Sequence, residues 1–252
     1  MRRPFRPVLL AFALGSSLPS WAGSLQVAVA ANFTAPFQAL APLFEQTTGH
    51  QAVGAFAATG QLYAQIRHGA PFEVLLSADS STPRRLIEEG EGVAASRFTY
   101  ATGKLVLWSA QPDYLDGTPA ALHAGKFRHL AIANPQTAPY GLAALQTLEQ
   151  LGLREHLAER LVEGQSISQT QQFIASGNAE LGFIALAQVY RDGRISSGSA
   201  WQVPANLHTP LHQDALLLNR GRDNPAAQAW LDFLQSPQAA EVIRAFGYDL
   251  AD

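Results

Sequence analysis

Two hydrophobic rhythms alternate along this chain. Short apolar runs read as strands: Leu25 to Ala31, His50 to Phe56, Val74 to Leu76, Lys104-Leu-Val-Leu-Trp108, Leu130 to Ala133, Leu161-Val162, Leu181 to Ile184 and Asp214 to Leu218. Between them apolar residues recur at helical spacing: Phe37, Leu40, Leu43 and Phe44, then Leu62, Tyr63 and Ile66, then Leu142, Leu145 and Leu148, then Phe173 and Ile174. Two helices close the chain, Pro225 to Leu234 and Pro237 to Phe246, the second capped by Ser236 and ended by Gly247. Strands alternating with helices at this spacing make βαβ units on largely parallel sheets, so the fold class is α/β.

The pattern also divides the chain. It predicts a crossing into a second lobe near Lys104 and a return before Asp214, which gives lobe 1 as residues 23–103 and 210–252 and lobe 2 as residues 104–209. Residues 1–22 stand outside the fold. Arg2, Arg3 and Arg6 precede an apolar stretch from Val8 to Leu18 that is too short to span a bilayer, and Ser20-Trp21-Ala22 is a small-x-small cleavage site. The reading is a cleavable secretory signal peptide, a mature chain from Gly23 and a periplasmic location.

The informative positions lie where strands end. Ala30-Ala-Asn-Phe-Thr34, Ala57-Ala-Thr-Gly60, Asn134 to Gly141 and Gly164 to Gln169 each deliver small or polar residues just before a helical pattern begins. The first N–H groups of a helix lack an intrahelical acceptor, and the helix dipole adds roughly half a positive charge there, so such a junction attracts anions without a basic residue. Asn32 and Thr34 add side-chain donors, although each could equally serve as an N-cap, as could Thr59. Ligands of parallel sheets bind beyond the carboxyl ends of the strands, so four matching junctions point to one shared site in the cleft between lobes.

Composition narrows the choice further. The 252 residues are 47% hydrophobic and 15% charged with a net charge of −3, an ordinary globular balance without a nucleic-acid footprint. With no cysteine there is no lipid anchor on a thiol, no disulfide and no thiolate chemistry. There is no G-x-S-x-G elbow and no phosphate-loop motif, and Gly90-Glu-Gly-Val-Ala-Ala95 follows a helix where a dinucleotide fingerprint needs a strand. His208 and His212 have helix-face spacing, but Pro210 between them breaks it. Asp79 has no second carboxylate near it in sequence and reads as structural. Nothing pairs a nucleophile with a base, so a binding protein is favoured over an enzyme.

The chain resembles the periplasmic molybdate-binding proteins of ABC importers from about Leu25 to Tyr248. The likeness rests on Ala31-Asn32-Phe33, Thr59-Gly60, Ala70-Pro71 with Ser77-Ala78-Asp79, Arg97-Phe-Thr-Tyr-Ala-Thr-Gly-Lys-Leu-Val-Leu-Trp108, Ala138-Pro-Tyr-Gly-Leu-Ala143 and Ala175-Ser-Gly-Asn-Ala-Glu-Leu-Gly-Phe-Ile-Ala185. The resemblance implies the two-lobed type II periplasmic-binding-protein fold. It also implies a neutral hydrogen-bond cage for molybdate or tungstate, with Ala31, Asn32 and Thr59 from lobe 1 and Tyr140 and Ile167 from lobe 2 as ligands. Molybdenum then enters only as its oxyanion, with no direct protein–metal bond and no cofactor, and the partner is an inner-membrane ABC permease served by a monomeric carrier. Two positions depart from the pattern: Ala31 lacks the hydroxyl that related proteins carry, and Thr59 stands where serine is usual. Other cargoes of the same fold, another oxyanion or a small carboxylate, stay open on the residues alone, as does a secreted α/β enzyme.

Overall fold

A computed structural model describes residues 23–191 and 193–250; the expected leader, residues 1–22, lies outside them. In chain order the strands and helices begin β1 (Ser24–Ala30), α1 (Thr34–Thr48), β2 (Gln51–Ala57), α2 (Thr59–Arg67), β3 (Val74–Ser77), α3 (Ser81–Glu88) and β4 (Phe98–Gly103). They continue through β5 (Leu105–Ser109), α4 (Ala120–Ala124), β6 (Leu130–Ala133), α5 (Pro139–Gln150), α6 (Arg154–Leu157), β7 (Leu161–Gly164), α7 (Ile167–Ala175) and β8 (Leu181–Ala185). The short strands β9 (Tyr190–Arg191), β10 (Arg194–Ile195) and β11 (Ser199–Gln202) precede β12 (Leu211–Leu217), α8 (Pro225–Leu234) and α9 (Pro237–Ala245).

Two five-stranded sheets carry these elements, in the orders β2-β1-β3-β12-β4 and β11-β5-β8-β6-β7. In the first, β1 is parallel to β2 and β3, while β12 runs antiparallel to both β3 and β4. In the second, β6 is parallel to β7 and β8, while β5 runs antiparallel to β8 and β11. Each sheet is therefore mostly parallel with one reversed strand, and the reversed strands β5 and β12 are those by which the chain enters each sheet from the other. A single residue, Lys104, separates β4 from β5, so the chain passes directly from one sheet to the other.

Burial explains the elements. β3 and β6 are buried along their whole length, as strands covered by helices on both faces must be. Trp230 of α8 is fully buried and packs on Phe37 and Phe44 of α1 at ring-centroid distances of 5.1 and 5.0 Å. α5 departs from its sequence pattern. Gly141, Ala143, Ala144, Thr147 and Leu148 face inward and Leu142 is exposed, because the helix start lies so close to β6 that a Cβ on Gly141 would stand 2.0 Å from the Ala133 carbonyl oxygen. Small residues, not leucines, let α5 meet the strand end. α3 begins at Ser81, and Asp79 ties its first turn by accepting from the Thr82 N–H at 2.7 Å.

Candidate functional site

Between the sheets lies a small cavity lined by Ala30, Ala31, Asn32, Ala58, Thr59, Ala78, Ala138, Pro139, Tyr140 and Ile167. All five sequence-nominated residues line it. Each arrives on a strand-to-helix junction: Ala31 and Asn32 on the 3-10 turn after β1, Thr59 as the first residue of α2, Tyr140 as the second of α5 and Ile167 as the first of α7. A further junction, after β3, adds Ala78, which was not among the nominated residues. The centre of a water-sized sphere can explore about 10 Å³ inside, room on the scale of one water or one small ion.

Among the described residues no Lys, Arg, Asp, Glu or His lines this space. Polarity therefore comes from N–H groups and hydroxyls. The N–H groups of a helix's first turn have no i−4 acceptor; here those of Gly60, Gln61 and Gly141 turn to the Thr137, Ala58 and Ala138 carbonyls, which leaves the residues at the head of each helix as donors to the cavity. Thr59, 1% exposed, accepts the Ala78 N–H on its Oγ1 at 3.2 Å, so its own hydroxyl proton remains available for another acceptor. It does not cap α2: that position belongs to Ala58, whose N–H is taken by Gln61 Oε1 at 3.2 Å.

Asn32 is occupied differently from the sequence expectation. Its Nδ2 donates to Gln213 Oε1 at 2.7 Å and to the Tyr248 hydroxyl at 2.9 Å, and Tyr248 Oη donates back to the Asn32 carbonyl at 3.1 Å. The orientation of this buried set follows from its end: Gln213 Nε2 must donate to the Leu211 carbonyl, at 2.7 Å, which leaves Gln213 Oε1 as the acceptor facing Asn32. Both Asn32 amide protons are thus taken by Gln213 and Tyr248, and its main-chain N–H is the donor it can offer the cavity. Thr34, the other expected side-chain donor, spends its hydroxyl on the Ala31 carbonyl at 2.8 Å.

Tyr140 is 2% exposed and its hydroxyl has no hydrogen-bond partner. It sits close enough to Tyr248 and Asn32 for both to act on it electrostatically, in a slot that exists because residue 103 is glycine: a Cβ there would stand 2.0 Å from Tyr140 Oη. Burial raises the pKa of Tyr140 well above that of an ordinary tyrosine, and the neighbouring Tyr248 adds to the rise. Tyr248 and Tyr100 are raised as well, chiefly by burial, so every phenol near the site is neutral at physiological pH.

Two hydrogen bonds join the sheets' elements across the cavity. The Gly60 N–H donates to the Thr137 carbonyl at 2.8 Å, and Ser168 Oγ donates to the Ala31 carbonyl at 3.4 Å. Beside them, a wider groove of about 340 Å³ is lined by Asp79, Ser81 and Thr82 on one wall and by Gln136, Leu142 and Gln146 on the other. Among the described residues no cluster of His, Asp or Glu could hold a metal ion, and His212 bonds the Thr102 hydroxyl at 3.2 Å. Gln213 and Tyr248 are the supporting residues that sequence reasoning missed. They lie 181 and 216 positions from Asn32, with no local signal linking them.

A family model for bacterial extracellular solute-binding proteins matches residues 25–249. The chain is 57% identical over 244 residues, 96% of its own length and 97% of the relative's, to the molybdate-binding protein ModA of Azotobacter vinelandii. It is 50% identical over 240 residues, 95% and 93% of the two chains, to the protein of the same description from Rhodobacter capsulatus. The solved structure of the Azotobacter vinelandii periplasmic molybdate-binding protein matches with a TM-score of 0.88 at 42% identity, covering 90% of this chain and 100% of that one.

Proposed function

Because the chain belongs to the bacterial extracellular solute-binding proteins, and within them to the molybdate-binding members, we propose the following chemistry for its cavity. The protein is a periplasmic carrier that binds molybdate for an ABC importer. The dianion sits at the junctions of the two lobes, residues 23–103 with 210–252 and residues 104–209. It is held by the main-chain N–H groups of Ala31, Asn32, Tyr140 and Ile167 and by the Thr59 hydroxyl. The observation that carries this reading is a cavity of ion size walled by helix N-termini and a free hydroxyl proton, with no charged side chain in its lining.

Physical chemistry supplies the mechanism. A dianion stripped of water is tolerated only where donors replace that water, and charge-assisted bonds are each worth about 1.5 to 3 kcal/mol. Fixed dipoles provide the positive potential. Molybdate, tungstate and sulfate share shape and charge, so selection rests on size. A cage spaced for the larger ions leaves the smaller one with stretched bonds at about 1 to 3 kcal/mol each. Tungstate then binds like molybdate, and phosphate is refused because its proton finds no acceptor. A small carboxylate would call for a bidentate Arg, and none lines the cavity among the described residues. Binding needs no cofactor and involves no turnover.

The donors are split between lobes, so the anion binds the closed arrangement better than the open one and drives closure about the two crossings. The closed form is what the permease meets, and the carrier acts as a monomer without a nucleic-acid partner. Residues 1–22 are assigned as the leader that delivers it. Thermal unfolding of the mature protein with and without oxyanions tests the reading. Molybdate or tungstate at 100 times its dissociation constant adds about 2.7 kcal/mol, while sulfate and phosphate at the same concentration shift the transition little. No shift with any oxyanion would overturn it.

A further inference from the structure

Two of the helix ends that wall the cavity are tied by glutamines, at positions where a carboxylate would tie them as well. In α2 the third residue, Gln61, returns its Oε1 to the Ala58 N–H at 3.2 Å, and Ala58 itself has no side-chain acceptor to offer. In α7 the third residue, Gln169, accepts the Gln165 N–H at 2.6 Å while its own N–H is held by Ser166 Oγ at 3.3 Å. Gln188 completes the set by accepting the Ala185 N–H at 2.9 Å and donating to the Ile167 carbonyl at 3.1 Å, which anchors the first residue of α7. All three are partly buried, and none of them lines the cavity itself.

At the third helical position Glu and Gln make the same reciprocal bond to the N-cap region. For helix stability alone Glu is the better residue, because its charge complements the positive end of the dipole. A site that takes up a dianion reverses that preference. A carboxylate within one turn of those N–H groups would consume the potential the ligand needs and repel the ligand directly. We propose that Gln61 and Gln169 are positioning residues of the anion site whose neutrality is functional: they hold the Thr59 and Ile167 junctions in place while leaving the helix-end potential to the ligand. The inference rests on the oxyanion reading above and names how that site sustains its affinity without cations.

The test is titration calorimetry of molybdate into the mature parent, Gln61→Glu, Gln169→Glu, Gln61→Met and the exposed control Gln150→Glu, with thermal unfolding of each without ligand. Both Glu variants at the caps are expected to unfold at or above the parent temperature and yet bind molybdate at least about tenfold more weakly, the scale of a like charge placed near a dianion at an effective dielectric of about 20. The deficit should shrink at high salt. Gln61→Met, which removes the tie without adding charge, should unfold at lower temperature and bind better than Gln61→Glu; Gln150→Glu, at the far end of α5, should match the parent in affinity. Glu variants that bind within twofold of the parent would overturn the inference and leave the site reading intact. So would Gln61→Met proving the weaker binder, or loss of unliganded stability in the Glu variants, since either outcome makes the role purely structural. A parent that gives no molybdate heat would overturn the site reading, and this inference with it.

Discussion

Replacing Gly60 with Ala separates the stability of the fold from the closing of the cleft. Gly60 is the second residue of α2 and does not have a positive φ, so its backbone accepts Ala. A Cβ there would stand 3.0 Å from Thr137 Cα and 3.2 Å from both Thr137 Cβ and its carbonyl oxygen, the same carbonyl that accepts the Gly60 N–H at 2.8 Å. Two of the three opposing atoms are backbone, and all belong to the loop that leads into α5 beside the second sheet, so relief requires the cleft to stay open or that loop to shift. Overpacking of this kind costs about 1 to 3 kcal/mol, which is about 5-fold to 160-fold in dissociation constant. With the lobes open the contact vanishes, and Ala in a helix gains up to about 1 kcal/mol over Gly. Gly60→Ala should therefore unfold at an equal or higher temperature without ligand, bind molybdate at least about 5-fold more weakly, and show a scattering profile in molybdate that is more extended than the parent's. Affinity within twofold of the parent, or a drop in unliganded stability, would refute the reasoning.

Other consequences follow from the same geometry. Tyr140→Phe removes a buried hydroxyl that has no partner, so calorimetry should find molybdate affinity within about threefold of the parent and unliganded stability unchanged or raised by up to about 1 kcal/mol; a larger loss of affinity would make the hydroxyl a ligand in its own right. Arg97→Met strands Asp214, which is fully buried and bonded to Arg97 at 2.6 Å, to Thr99 at 2.7 Å and to Ser80 at 3.0 Å; denaturant unfolding should show a loss of about 3 kcal/mol, with affinity for molybdate retained in the folded fraction. The raised pKa values of Tyr100, Tyr140 and Tyr248 mean that the folded state holds these protons more tightly than the unfolded one. Their contribution is complete below the ordinary tyrosine value of about 10 and is lost as pH rises above it, by up to about 1.4 kcal/mol per pH unit per phenol, so stability followed by chemical denaturation should be insensitive to these groups at neutral pH and fall steeply above about pH 10.

What the chain revealed before its structure was known depends on how local each signal is. The strand ends and helix starts that meet at the cavity were legible because each is a contiguous run whose period changes from two to about 3.6, and α8 and α9 are bounded by their own Pro and capping residues, Asn224 and Ser236. The leucine spacing of α5 marked a helix without fixing its inner face: Leu148 is buried but Leu142 is exposed, and only the approach of α5 to β6 explains why Ala143 and Ala144 are inside. β11, which pairs antiparallel with β5, escaped because it is four residues long within a Ser-rich and Pro-rich stretch and owes its form to its neighbour. The five nominated residues came from matching junctions together with family resemblance; the state of their side chains did not. That Asn32 is held by Gln213 and Tyr248, and that Thr59 accepts from Ala78, depends on tertiary contacts no sequence window contains.

The central claim is that a neutral cage selects its dianion by size. Competitive calorimetry on the mature protein, with molybdate titrated in the presence of rising sulfate and then of tungstate, measures this most directly. The account predicts one site per chain, near-equal affinities for molybdate and tungstate, and sulfate weaker by well over tenfold at every salt concentration. Sulfate binding within tenfold of molybdate would contradict it.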